Sequence, residues 1–380
     1  MKLAIVGLGN IGRMHAQNLL AGKAPGVELA AIVESRPIPP GEFDVVPHFG
    51  KLAALIKADV ADAVLVATPS FDHFPTAIAA LKAGLHALVE KPIALHAADA
   101  RILESAAKRT KCKIAVMLNQ RLDNRYERIR DIVVSGKLGH VRRFSWAMTN
   151  WFRPDIYFTS SPWRGTWKGE AGGALLNQCI HNLDILAWLF GMPKRLRAYC
   201  AMGKYHKIEV EDEVNACMEF PNGISGSFVG STGEHPGVNR LEIFGDRGTL
   251  LFNNDELVIT TLKQSLQEYS ATTTDPFGTP EFDRIRETLA PAPPRHSDII
   301  RNFADYIATG APPIGPARDG AQSVELANAM LYSTWTNRDV TFPLDAAAYK
   351  RALMRRIAKS HLRKPSVTVA PVTSMGKSFR

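Results

Sequence analysis

Between Lys2 and Glu34 the chain reads as strand, glycine turn, helix and strand, a succession that few folds accommodate. Lys2-Leu-Ala-Ile-Val-Gly7 is a short apolar run of the kind buried in a parallel sheet, and from Arg13 to Leu20 apolar residues recur at helical spacing. Between them lies Gly7-Leu8-Gly9-Asn10-Ile11-Gly12, and a second apolar run, Val27 to Val33, ends in Glu34. The glycines have separate uses: Gly7 permits the tight turn, Gly9 lets the backbone approach a pyrophosphate, and Gly12 allows close packing of helix on strand. Phosphates would rest on the N–H groups at the helix start, and Glu34 would accept from ribose hydroxyls. The pattern predicts NAD. Arg36 keeps NADP open, because a guanidinium suits a 2′-phosphate. A glycine turn without a ligand is the plainer reading, but here strand, helix and acid all stand in their places.

Downstream the same grammar continues. A Pro-rich stretch, Pro37 to Pro47, precedes a helix-like Lys51 to Lys57; strands Ala63–Ala67, Ala87–Glu90 and Ile114–Leu118 then alternate with helical spans Pro75–Ala83 and Ala97–Lys108. Such alternation predicts an α/β, doubly wound parallel sheet covered on both faces, with ligands beyond the carboxyl ends of its strands. The residues at those ends are candidates for the site: Thr68-Pro69-Ser70 with His73, Glu90-Lys91-Pro92, and Asn119-Gln120-Arg121. Ala67, Thr68, Pro69, His73, Glu90, Lys91 and Gln120, with Gly7 to Gly12, Glu34, Ser35 and Arg36, make up the predicted cofactor crevice. Lys91, stopped by Pro92, would point its ammonium into it and stabilise an alkoxide; many strand-end lysines are only surface solubilisers.

Past residue 121 the texture changes, and the chain is divided into 1–121 and 122–380. A helical Tyr126 to Val134 leads to β-patterned runs at Val141–Trp151, Arg195–Met202, Glu213–Phe220, Ile224–Ser231, Arg240–Phe244 and Thr249–Leu262, with hairpin signals at Pro221-Asn222-Gly223 and Gly245-Asp246-Arg247-Gly248. This predicts an open, mainly antiparallel sheet with one inserted helix, Gly173 to Phe190. Residues 264–296 read as a long loop. On the inserted helix Asn177 and His181 are four apart and so share a face; histidine is the side chain suited to take a hydroxyl proton near neutral pH. A lone helix histidine is more often structural. Cys179 should point off that face into the core.

At 380 residues the chain fits two domains, and 46% hydrophobic with 22% charged residues is ordinary globular composition. No apolar run reaches membrane-spanning length, and a first strand at residue 2 leaves no room for a signal peptide, so a cytoplasmic location is expected. The four cysteines lack metal or disulfide spacing. The net charge of +9 lies wholly in residues 350–380, where Lys350, Arg351, Arg355, Arg356, Lys359, Arg363, Lys364, Lys377 and Arg380 meet no acid. Tyr349, Leu353 and Ile357 form one apolar stripe there, which predicts a docked helix with a solvated basic side rather than a nucleic-acid surface. The group His206, Glu209, Glu211, Asp212 and Glu213 reads as a solvated or ion-paired strand edge, not a metal site.

Gly7-Leu-Gly-Asn-Ile-Gly12, Ala67-Thr68-Pro69 with His73, Glu90-Lys91-Pro92, Trp163-Arg164 and Gly172-Gly173-Ala-Leu-Leu-Asn177-x-x-x-His181-Asn-Leu-Asp184 together resemble the glucose–fructose oxidoreductase, inositol dehydrogenase and MocA (Gfo/Idh/MocA) family. The resemblance runs on to Glu325-Leu-Ala-Asn-Ala329 and Pro343-Leu-Asp345. It implies a Rossmann domain, a C-terminal α/β domain that commonly joins copies into dimers or tetramers, and NAD(P)-dependent chemistry at a secondary alcohol of a sugar, polyol or nucleotide sugar. It puts the catalytic lysine at Lys91 and the catalytic histidine at His181. Asn177 stands where many members have Asp; an amide orients a hydroxyl but holds no proton. Arg121, Asn124, Tyr157, Trp163 and Arg164 are candidates for lining the sugar site. Two other classes share this sequence pattern: an enzyme recycling tightly held NAD through transient oxidation, and a non-catalytic sugar or nucleotide sensor.

Overall fold

The computed structural model describes residues 1–290 and 295–362. Arg363, Lys364, Lys377 and Arg380 of the basic tail lie outside them.

The first sheet is built from β1 (Lys2–Val6), β2 (Glu28–Val33), β3 (His48–Phe49), β4 (Ala63–Val66), β5 (His86–Val89) and β6 (Ile114–Val116), all parallel in the order β3-β2-β1-β4-β5-β6. The order reverses between β1 and β4, which opens a crevice beyond their carboxyl ends. Both faces are covered, as the unbroken apolar strands require. Val6, Val64 and Val89 pack under the helices His73–Lys82 and Ala97–Thr110. Leu3, Ile5 and Leu65 face the helix Asn10–Leu20 and, unmarked by any sequence signal, the distant helix His296–Thr309, through Ile299, Ile300 and Phe303.

The second sheet contains β7 (Val141–Met148), β8 (Arg195–Met202), β9 (Glu211–Glu219), β10 (Ser225–Ser231), β11 (Asn239–Gly245), β12 (Gly248–Asn253), β13 (Glu256–Leu262), β14 (Phe282–Thr288) and β15 (Val340–Thr341). Their order is β14-β13-β12-β11-β7-β10-β9-β8-β15, antiparallel except for the parallel pair β7 and β10. One face carries Phe144, Trp146, Phe228 and Phe252 into the core, where the helices Ile180–Phe190 and Ala317–Thr336 lie. On the other, residues such as Tyr199 and Cys217 face outward. The C-terminal helix Ala346–Lys359 docks through Tyr349 and Leu353.

Three sequence expectations give way. Residues 249–262 are two strands, because Asn254 adopts φ 56° and turns the chain into a hairpin. Residues 264–290 hold the helix Leu266–Thr272, started by a capping box between Ser265 and Glu268, and the edge strand β14. That strand is exposed on both faces, so it carries no apolar alternation to read. Of the edge read as solvated or ion-paired, only the solvated half fails: Glu211 and Asp212 are fully buried, Glu211 accepting from the amides of Gly173 and Leu175 and Asp212 from those of Lys204, Tyr205 and His206, while the His206 ring stands 3.1 Å from Asp212 and Lys204 pairs with Glu213 at 2.6 Å. Among the described residues no helix is long and apolar enough to cross a membrane.

Candidate active site

Gly7, at φ 96°, ends β1; a Cβ there would stand 2.7 Å from the Thr68 amide nitrogen, so the turn and the end of β4 touch. A Cβ on Gly12 would lie 2.0 Å from the Gly7 carbonyl oxygen, which excludes any larger residue. In front of Gly9 the space is open. The helix Asn10–Leu20 begins at Gly9 with no side-chain cap and no acid in its first turn. Its leading amides are therefore left for a phosphate, and the residues present fit the dinucleotide.

Glu34 accepts from the Leu8 amide at 2.9 Å and from the Arg36 amide at 3.0 Å, and both its oxygens meet the Arg36 guanidinium at 3.0 Å. Burial pushes this carboxyl up, but Arg36 and the amides more than offset it and hold it at about 2. Arg36 is thus occupied by Glu34, and a 2′-phosphate would meet the carboxylate first. Glu34→Ala should weaken NADH and release Arg36 for NADPH, shifting the ratio of their dissociation constants by about tenfold or more. Fluorescence titration of both reduced cofactors checks this; an unchanged ratio would place the ribose contact elsewhere.

Lys91 follows β5. Its Nζ donates to the backbone oxygen of Asn177 at 3.1 Å, spanning from the first sheet to the second half of the chain. Desolvation lowers its pKa, Glu90 opposes this, and the charges of Arg164 and Arg153 add to it. His181 is buried and close enough to feel that ammonium. Desolvation first, then Lys91, hold its pKa well below the ordinary histidine value, so the imidazole is neutral. Its Nδ1 is buried with no partner in the protein. Lys91 Nζ is thus held on the backbone four residues before His181, near enough for its charge to act on that ring.

The inserted helix does not run unbroken. It divides into Ala174–Asn177 and Ile180–Phe190, because the Cys179 amide reaches back five residues to the Ala174 carbonyl at 2.7 Å, a local widening of the turn. Asn177 and His181 flank that break. The Asn177 amide donates to Glu170 Oε1 at 2.8 Å and to the Tyr157 hydroxyl at 3.1 Å. Tyr157 also receives Arg164 at 2.6 Å and Gln178 at 3.1 Å, and Arg164 lies over the Trp163 ring. Cys179 is fully buried, its thiol pushed up to about 12 by burial.

Several predicted site residues act from behind or elsewhere. His73 is buried, its ring nitrogens 2.7 and 2.9 Å from the carbonyl oxygens of Pro92 and Thr68, so it braces the crevice wall. Glu90 is buried against His15 at 2.7 Å and accepts the Lys91 amide. Burial pushes Glu90 up, but His15 more than compensates and its carboxyl sits at about 2. Arg121 does not line the sugar site: its fork is closed on Asp184 at 2.8 and 2.7 Å, with Asp319 at 2.8 Å. Asn124 is exposed and donates to the Ala290 carbonyl. Glu170, Arg153, Gln178 and His15 were missed; each gains its place only through partners remote in the chain or in the bend after β7.

Residues 1–118 match the model described as "Oxidoreductase family, NAD-binding Rossmann fold", and residues 126–251 match the GFO/IDH/MocA C-terminal domain. The chain belongs to the Gfo/Idh/MocA family. Among relatives, myo-inositol 2-dehydrogenase of Thermotoga maritima is 23% identical over 90% of this chain and 98% of its own length. The oxidoreductase YdgJ of Escherichia coli is 29% identical over 51% of this chain, and trans-1,2-dihydrobenzene-1,2-diol dehydrogenase of Mus musculus 28% over 50%. The chain spans about half the length of these two, 54% in each case. The WlbA dehydrogenase from Bordetella pertussis, solved with NADH and UDP-GlcNAcA, shares the fold with a TM-score of 0.74 at 24% identity, over 91% of this chain and 99% of that one. As in the Gfo/Idh/MocA family at large, the N-terminal unit is an NAD-binding Rossmann domain.

Proposed function

We propose that this protein is an NAD(P)-dependent dehydrogenase or reductase acting on a secondary hydroxyl, or the matching keto group, of a sugar, a polyol such as an inositol, or a nucleotide sugar. The observation that carries the reading is the meeting of Lys91 with a neutral His181, one ring nitrogen unpartnered, beside a crevice fitted to a dinucleotide. Relatives named for dehydrogenation of myo-inositol and of a dihydrobenzenediol support it.

When bound, the nicotinamide supplies the redox step, taking a hydride from the carbinol carbon or returning one. The proton and the oxygen fall to the protein. In the oxidative direction His181 accepts the hydroxyl proton, and Lys91, with two N–H donors left beyond Asn177, stabilises the charge that develops on the same oxygen. Asn177 has its amide hydrogens committed to Glu170 and Tyr157, so its Oδ1 is the atom left to orient the substrate hydroxyl. Orientation matters because reacting atoms must come within about 3.5 Å, and alignment lowers the barrier by several kcal/mol. We place the protein in the cytoplasm, as a dimer or tetramer joined through the open face of the second sheet, where Tyr199 is exposed.

A panel of sugars, inositols and nucleotide sugars, followed by nicotinamide absorbance with NAD and with NADP, tests the reading. Reduction with at least one polyol is expected. Cofactor that survives gel filtration without bulk NADH formation would favour transient oxidation instead, and saturable sugar binding without turnover a sensor.

A further inference from the structure

His206 is buried, and both of its ring nitrogens face oxygens that only accept. Nδ1 lies 3.1 Å from Asp212 Oδ2, and Nε2 lies 2.7 Å from the backbone oxygen of Arg153. Asp212 has no proton to offer. Burial pushes its carboxyl up, but the His206 ring and the amides of Lys204, Tyr205 and His206 more than offset this and hold it below the ordinary value. A neutral imidazole donates from one nitrogen and presents a lone pair at the other, so it satisfies one of these oxygens and repels the second. The imidazolium donates to both. Burial works against that charge, but Asp212, the Arg153 carbonyl and the charge of Asp155 outweigh it, and the ring titrates above 6.5. Of the other charges nearby, Lys204 is engaged with Glu213 at 2.6 Å, and the Arg153 guanidinium lies over the Trp151 and Tyr157 rings.

The two oxygens belong to different parts of the molecule. Asp212 stands at the start of β9, between β10 and β8 in the second sheet. Arg153 opens the bend after β7, which runs through the short helix Asp155–Thr159 to Trp163 and Arg164. Phe158 of that helix is buried against the imidazole, with 4.6 Å between ring centres. Its neighbour Tyr157 receives the amides of Asn177 and Gln178 on its hydroxyl, and the Asn177 backbone oxygen holds Lys91 Nζ. When the ring loses a proton, the one that remains stays on Nδ1, where the bond to a carboxylate is the stronger, and the Arg153 carbonyl then faces a lone pair. The Arg153 amide keeps its bond to the Thr232 carbonyl at 2.9 Å in either state, so the bend is loosened and not detached.

We propose that His206 is a pH-sensitive clasp and a positioning residue: as an imidazolium it ties the bend from Arg153 to Arg164 to the start of β9, and on losing a proton it lets go of the Arg153 carbonyl and frees Tyr157 to move against Asn177. The inference rests on the dehydrogenase reading only for its effect on substrate binding; the clasp stands on the two acceptors of one ring. It is closed at pH 6.5 and below and opens as the pH rises through the raised value.

Hydrogen exchange of the full-length protein, read by mass spectrometry, tests this without a substrate. Between pH 6.5 and 8.5 the protection of residues 150–166, corrected for the intrinsic pH dependence of exchange, should fall by about tenfold, the scale of one hydrogen bond from a charged donor. In His206→Gln protection should already be low at pH 6.5 and stay level, because an amide does not titrate. Asp212→Asn keeps an oxygen for the backbone amides but removes the charge that retains the proton, so there the fall should move below pH 6.5. NADH binding by fluorescence verifies that each variant is folded. Wild-type protection that does not change with pH, or a fall that persists in His206→Gln, overturns the clasp. With a compound that the panel shows to be oxidised, KM should rise in step with the loss of protection while kcat holds; a level KM overturns the positioning role. If no compound is oxidised, the dehydrogenase reading falls by itself, and the exchange measurements still uphold or overturn the clasp.

Discussion

Lys91→Met and His181→Ala should each lower turnover by at least about 100-fold while NADH still binds. Neither side chain belongs to the glycine turn or to the Glu34 end of the crevice, so the dinucleotide keeps its main contacts. What each variant loses is specific. On the proposed mechanism, Lys91→Met takes from the oxygen its cationic donor as charge develops there, and His181→Ala takes from the proton its base. The pH profile separates the two. His181 works as a base only when neutral, and its pKa lies well below 6.5, so oxidation in the wild type should hold its rate through pH 6.5 and fall only at more acid pH. The alkaline limb, where Lys91 loses its charge, should begin below the ordinary lysine value of 10.5, because desolvation lowers that group. His181→Ala should abolish the acid limb and Lys91→Met the alkaline one. Normal turnover in either variant removes that residue from the mechanism, and an acid limb that persists in His181→Ala assigns the base elsewhere.

The parts of this site that were legible in the sequence are those whose signal is local. Gly7, Gly9 and Gly12 announce themselves because a turn, an open approach and a close contact each demand the same small residue within six positions. Lys91 is marked by the strand before it and Pro92 after it. The α/β alternation and the β-rich second half follow from periodicity, which depends only on which faces are buried. What stayed hidden depends on partners far along the chain. Glu170 looks like any surface acid of a polar stretch until the fold folds it under Asn177. Arg153 belongs to no motif; its place shows only through the Tyr157 ring, over which both it and Arg164 lie. The break after Asn177 is invisible because apolar residues keep helical spacing on both sides of it, and only the amide of Cys179 reaching to Ala174 reveals it. Arg121 was misread for the same reason: the end of a parallel strand is where ligands bind, but here the strand end is used to fasten the two halves together.

That fastening should carry a large stability effect, because both charges are buried. Arg121 follows β6 in the short turn Asn119–Leu122, and Asp184 sits on the helix Ile180–Phe190, one turn beyond His181. Asp319 lies in the first turn of Ala317–Thr336. The guanidinium is buried, donates to Asp184 at 2.8 and 2.7 Å and to the Ile314 carbonyl at 3.0 Å, and packs 5.3 Å from the Trp188 ring. Arg121→Ala leaves the buried Asp184 carboxylate without its counter-ion, a change that costs about 3–5 kcal/mol in comparable buried pairs. Denaturant unfolding should register that loss. Because Asp184 is on the helix that presents His181, the variant should also lose kcat more than NADH affinity. Arg121→Met combined with Asp184→Leu provides the control: with both charges gone nothing is left uncompensated between them, and Asp319 is exposed enough to hydrate, so the pair should be more stable than Arg121→Ala alone. A cost below about 1 kcal/mol for Arg121→Ala would mean that water reaches Asp184, that the fork is an ordinary surface pair, and that some other contact sets the distance from Lys91 to His181.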